Sequence, residues 1–236
     1  MTSLQTTHTP AIHLPEEDRA TFVMRVYQHV LAAIGAFVAI EALFFATGLA
    51  ERMYDFLWSG GGGVRWLLFL GLFMAGNWFM TNAATDFANP ARAYTGLFGA
   101  AAMQALIFAP FLFYVYRVQD AGSTVLAAAA ITGIGTAILS VIAFTTRKDL
   151  SVLRPLVMWG MGGAMLLIVG ALLFGFNLGV WFSVAMIVLA GAAILFQTQN
   201  IIRNFPAQAY VAAAVQLFGS IMTMFWYVLR LLVARD

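Results

Sequence analysis

The segment QAYVAAAVQLFGSIMTMFWYVLRLLV, residues 208–233, is long and apolar enough to cross a bilayer as one helix. It nevertheless carries Gln216, Ser220, Thr223, Tyr227 and Arg230 at steps of four, three, four and three. Those steps follow the helical period, so the five residues fall on one stripe. Polar side chains in hydrocarbon are unfavourable unless they face protein or water. The helix is therefore expected inside a bundle, with its stripe turned towards neighbours or a cavity.

Working outward, six more stretches of the right length precede it, at 22–48, 65–84, 92–116, 123–144, 155–176 and 178–199. A span needs about 20 mostly apolar residues. The fold class predicted is an all-α integral membrane protein, a seven-transmembrane helix bundle over 22–236. A polar N-terminal tail, 1–21, precedes it. With 62% hydrophobic and 9% charged residues, against about 25% charged in an average soluble domain, the surface faces lipid bilayer rather than water. The net charge of +2 is too small and too dispersed for a nucleic-acid partner. No Cys is present, which excludes disulfides, thiolate nucleophiles and Cys-based metal sites.

Residues 1–21 lack the basic-then-apolar order of a secretory signal, so the first span is expected to act as an uncleaved anchor. Arg19, Arg25, Arg92, Arg147, Lys148, Arg154 and Arg203 lie on the N-terminal side. Arg52, Arg65, Arg117, Arg230 and Arg235 lie on the other. This bias favours a cytoplasmic N-terminus.

Pro90, Pro155 and Pro206 stand where helices are expected to start, and Pro110 is expected to kink the third span and free a carbonyl. The stretch 49–64, ending in Gly60 to Gly63, reads as a flexible external loop. A phosphate cradle would need a Gly-Lys-Ser/Thr ending, which is absent. His8, His13 and His29 lack ligand spacing, so no metal or other cofactor is implied. Gly96 with Ala100, Gly133 with Ala137, and Gly160 with Ala164 beside Gly163 mark expected close helix contacts. Trp58, Trp66, Tyr94, Tyr114, Tyr116, Trp181 and Tyr210 read as membrane-interface anchors.

The polar run Gln197-Thr-Gln-Asn200 closes the sixth span and can meet the seventh across a short turn, with Gln197 and Ser220 at similar depth. The candidate polar core or ion path is therefore Gln197, Gln216, Ser220, Thr223 and Arg230, together with Glu41 of the first span. Glu41 has three outlets: snorkelling outward, pairing with Arg230 or Arg65, or staying protonated. Asp86 and Asp149 are expected to pair in solvent with Arg92 and Arg147.

Three separated motifs, 143–151 (AFTTRKDLS), 194–202 (ILFQTQNII) and 217–232 (LFGSIMTMFWYVLRLL), together with 22–27 (FVMRVY), resemble the transmembrane Bax inhibitor motif family. The likeness is closest to its bacterial branch, which includes a modulator of the FtsH membrane protease, and this resemblance implies the bacterial inner membrane as the location. The resemblance implies a last helix surrounded by the other six. It also implies an acidic pair on helices six and seven in those members that leak calcium. Matched motif to motif, those positions are Gln197 and Ser220 here. Neither ionises, so a proton-gated calcium leak is not expected.

Two function classes stay open. One is a regulatory protein that modulates an FtsH-like membrane-bound protease or a stress response. The other is a channel or transporter conducting cations along Gln216, Ser220 and Thr223 towards Gln197. No catalytic constellation is visible, and an enzyme is not expected.

Overall fold

The computed structural model describes residues 10–59, 62–86 and 88–234. Its eight helices are α1 (Glu16–Ala46), α2 (Leu49–Trp58), α3 (Gly62–Ala84), α4 (Pro90–Phe113), α5 (Gly122–Thr145), α6 (Leu153–Phe174), α7 (Gly179–Asn204) and α8 (Tyr210–Val233). All except α2 are long and apolar enough to span a membrane. The chain threads back and forth, so the bundle has two ends. The N-face carries the start of α1 and the α3–α4, α5–α6 and α7–α8 connections. The C-face carries α2, the α4–α5 and α6–α7 connections and the end of α8.

The seven expected spans all form, with shifted ends. The first helix begins at Glu16 rather than at residue 22, because Glu16, Glu17 and Asp18 occupy its first turn, where carboxylates offset the helix dipole. The sixth span runs on to Asn204, so Gln197 to Asn200 lie inside a helix rather than at its end. Proline behaves as its chemistry dictates at Pro90, the first residue of α4, where Asn89 caps the Arg92 N–H. The fourth helix continues through Pro110 and then widens into a π-helical turn over Tyr114–Val118, with the Gln119 N–H donating to the Tyr114 carbonyl at 3.0 Å.

The stretch 49–64 departs from expectation, because ten of its residues form the amphipathic helix α2. Gly48, at φ +70°, turns the chain between α1 and α2, a conformation that glycine adopts without penalty. Ala50 and Leu57 face inward. The Arg65 guanidinium donates to the Phe56 carbonyl at 2.6 Å and to the Ser59 hydroxyl at 3.0 Å, satisfying the orphan end of α2. Tyr54 stacks on Trp58 and Tyr114, and Trp66 packs edge-on against Trp58, so three of the expected anchors also pack in one cluster. Gly60 and Gly61 lie outside the described residues, and Gly62 and Gly63 already belong to α3.

α8 is the most buried helix and packs against α7, α1, α5, α4 and α3. α6 instead packs mainly on α7 and α3. Of the small-residue contacts, Gly96 is a true crossing: a Cβ there would strike the Ala84 and Met80 backbone of α3. Gly160 would meet only the Leu189 side chain, while Gly133 and Gly163 have nothing within 4 Å and face open space. The pattern "small, three apart, small" recurs wherever helices are apolar, and only packing decides which copy is used.

Candidate functional site

The centre of the bundle lies where α7 and α8 cross. Ser220 donates its hydroxyl proton to the Gln197 amide oxygen at 2.9 Å, so the depth match expected from the hairpin is realised. Ser220 is buried, and Gln197 and Gln216 are half-buried. Thr223 turns its hydroxyl back to the Gly219 carbonyl at 2.9 Å, as threonine in a membrane helix commonly does. Tyr227 packs edge-on against Phe182, and the Arg230 guanidinium lies 6.0 Å from the centre of the same ring. The stripe is thus split by depth: Ser220 engages α7 near the middle, and Arg230 stands near the C-face.

Glu41 does not join this stripe, and of its three outlets the pairing with Arg230 or Arg65 does not form. It is 7% exposed on α1, at the end of the buried row Phe22, Val26, Val30, Ala33 and Phe37. Neither carboxyl oxygen has a hydrogen-bond partner among the described residues. Arg65 is engaged at the end of α2 and Arg230 lies against Phe182, so neither cation is directed to it. The inward-facing position on α1 prevents snorkelling as well.

A second row of polar groups was legible by the same period but not singled out. Thr132, Thr136 and Ser140 recur at steps of four on α5, all buried and without a partner among the described residues. α5 packs chiefly against α7 and α8, so its single buried stripe faces those two helices. Buried Thr198 of α7 is also without a partner. α5, α7 and α8 therefore each turn uncharged side-chain oxygens into the interior.

The N-face is knitted by contacts that no spacing announces. The Ala11 N–H donates to the Phe205 carbonyl at 2.8 Å, and Pro10 bridges Pro206, docking the end of the tail on the α7–α8 turn. Buried Gln199 accepts the Leu150 N–H at 2.7 Å and donates to the Lys148 carbonyl at 2.9 Å. Asp86 pairs with Arg92 as expected, at 3.1 Å. Asp149 instead pairs with Arg203 of α7 at 3.2 Å rather than with Arg147, because the Gln199 clamp brings residues 148–150 against that helix. On the same face His29 contacts the Tyr94 hydroxyl at 2.9 Å and packs on Tyr210, so these three residues tie α1, α4 and α8 together.

Hydrogen bonds from the Ser151 backbone and hydroxyl to Asp149 hold its carboxyl below the usual carboxylate range, with Arg203 adding to the effect. A depressed folded-state pKa contributes stability above the ordinary value and loses it as pH falls through the folded one. Amide exchange in 148–151, corrected for its intrinsic rate, is therefore expected to stay slow from about pH 5 to 8 and to quicken below about pH 4. Asp149→Ala, which removes both the acceptor for the Ser151 N–H and the partner of Arg203, should speed exchange of the Ser151 amide throughout, and a profile matching the parent would refute this account.

A large cavity of about 630 Å³ opens between α3, α4, α6, α7 and α8. It takes in Thr223, Tyr227 and Arg230 from the stripe, together with Gln104 of α4, but not Gln197, Gln216 or Ser220. Among the described residues no three His, Asp or Glu are arranged so as to hold a metal ion.

Taken together, these features define a polytopic membrane protein built around a largely buried last helix whose one formal charge, Arg230, stands near the C-face. Comparison with known proteins goes one step further: the family model described as "Inhibitor of apoptosis-promoting Bax1" matches residues 19–236, and the chain belongs to this Bax inhibitor family. An uncharacterized protein of Campylobacter jejuni is 28% identical over 233 residues, covering 91% of this chain and 89% of that one. No solved structure matches.

Proposed function

We propose that this protein is a regulatory membrane protein whose N-face is cytoplasmic and docks a membrane-bound protease of the FtsH type. The knitted N-face carries this reading. The tail end is held to the α7–α8 turn by the Ala11 contact, and the α5–α6 loop is held to the last turns of α7 by the Gln199 and Asp149 contacts. A surface ordered beforehand loses less conformational freedom on binding. Beside these contacts lies a groove of about 630 Å³, lined by Ile12, Val23 and Phe144 with Glu16, Arg19 and Arg203 among them, which offers a partner both apolar and charged contacts. The neutral Gln197–Ser220 pair also favours action through a folded face over a proton-driven gate, since neither group changes charge.

Crosslinking in native membranes, followed by identification of the captured protein, tests this. Parent protein is expected to capture the protease. Ala11→Arg, which places a charge at a fully buried position, should weaken capture roughly tenfold if one docking contact of about 1.4 kcal/mol is lost. Absence of the protease from the captured set, or equal capture by the variant, would sink the proposal.

A second reading, a cation leak, is favoured by the unpartnered hydroxyls of Thr132, Thr136, Ser140 and Thr198, which supply dipoles along the inner helices. Under this reading Ser220→Leu blocks cation flux into liposomes, and unchanged flux removes the path.

A further inference from the structure

Of the path Gln216, Ser220, Thr223 and Gln197, only Thr223 lines the cavity between α6 and α8, and the protease reading does not use this cavity. Its volume of about 630 Å³ lies within the range of about 300–1,000 Å³ typical of small-molecule sites. Its walls are overwhelmingly apolar: Phe73 of α3, Ile107 and Phe108 of α4, Ile168 of α6, and Met222 and Trp226 of α8. Among its described lining residues there is no Asp, Glu or Lys, and Arg230 is the single permanent cation. No carboxylate of the described residues pairs with Arg230.

Depth adds direction. Arg230 stands three residues before the end of α8, and Thr223 lies seven residues deeper, about 10 Å further from the C-face at 1.5 Å per residue. The cation therefore sits at the outer end and the apolar walls extend inward, the same order as head and chain in a lipid leaflet. The outer sides of α3 and α6 carry exposed Leu68, Leu72, Trp159 and Leu166, so hydrocarbon lies directly behind both walls. The two helices touch near the C-face, where a Cβ on Gly63 would lie 2.5 Å from the Leu172 carbonyl oxygen.

We propose that this cavity binds a single-chain anionic amphiphile, with its carboxylate or phosphate head on the Arg230 guanidinium and its acyl chain along Trp226 towards Gln104. A guanidinium with no carboxylate partner among the described residues offers a fork of N–H donors that either head group accepts. Burial of the chain against Phe108 and Met222 supplies the apolar contact.

Quenching of Trp226 fluorescence tests this. In full-length protein with Trp58, Trp66, Trp78, Trp159 and Trp181 changed to Phe, 11-bromoundecanoate should quench Trp226 saturably in detergent, and its methyl ester far more weakly. Arg230→Gln should weaken binding of the acid about tenfold or more while leaving the ester unchanged, as expected for loss of a charge-assisted contact. Ala171→Phe, which fills the cavity beside intact Arg230, should abolish both. A brominated lysophospholipid in place of the fatty acid distinguishes a phosphate from a carboxylate head; saturable, Arg230-dependent quenching by either supports the site. Quenching that does not saturate, or that is equal for acid and ester, or that survives both substitutions in folded, monodisperse protein, overturns it.

Discussion

Ser220→Leu lowers the stability of the bundle by about 2–4 kcal/mol in reversible unfolding in mixed detergent, whereas Ser220→Ala lowers it by about 1 kcal/mol or less. Both variants remove the hydroxyl that donates to Gln197 at 2.9 Å. In bilayers such interhelical bonds average about 0.6 kcal/mol, because an unfolded helix in lipid also finds partners. That difference is all alanine should lose. Leucine adds bulk where Ser220 is 7% exposed and its neighbours Leu217 and Ile221 are already buried, and overpacking adds about 1–3 kcal/mol. If leucine and alanine proved equal within about 0.5 kcal/mol, the crossing of α7 and α8 would have spare room, and the tight centre described above would be wrong.

Gly96→Ala is expected to destabilise by about 1–3 kcal/mol, while Gly133→Ala, in the same assay, stabilises by about 0.5–1 kcal/mol. Alanine is intrinsically the better helix former, so the sign at each position is set by space alone. At Gly96 the new methyl meets the backbone of Met80 and Ala84, which cannot rotate away as a side chain does. The end of α3 must then move off α4. At Gly133 nothing lies within 4 Å, and the helix keeps the propensity gain. A stabilising Gly96→Ala would show that α3 and α4 do not cross at Gly96, and a destabilising Gly133→Ala would show that Gly133 is packed.

These contrasts mark how far one-dimensional reasoning reaches. The stripe on α8 and the depth match of Gln197 with Ser220 were legible because helical period and hairpin length are local properties. The row Thr132, Thr136 and Ser140 carries the same period and was open to the same reading. α2 was missed because the glycines that follow it look like a linker, while its register is held by Arg65 from the next helix. The Asp149–Arg203 pair was assigned to the wrong arginine for a similar reason: residues adjacent in sequence compete with one brought close by the Gln199 clamp.

Local chemistry alone determined that this chain lives in a bilayer, that it crosses seven times, and that its last helix turns a polar stripe inward, since chain length, hydrocarbon thickness and the 3.6-residue period leave little choice. Which glycine is a crossing, where Glu41 points, and that α6 stands off α8 around a cavity ending at Arg230 were decided only by how the helices lean on one another. Lipid tails are as apolar as leucine, so hydropathy cannot tell a face buried in protein from one facing the membrane, and contact geometry alone makes that distinction.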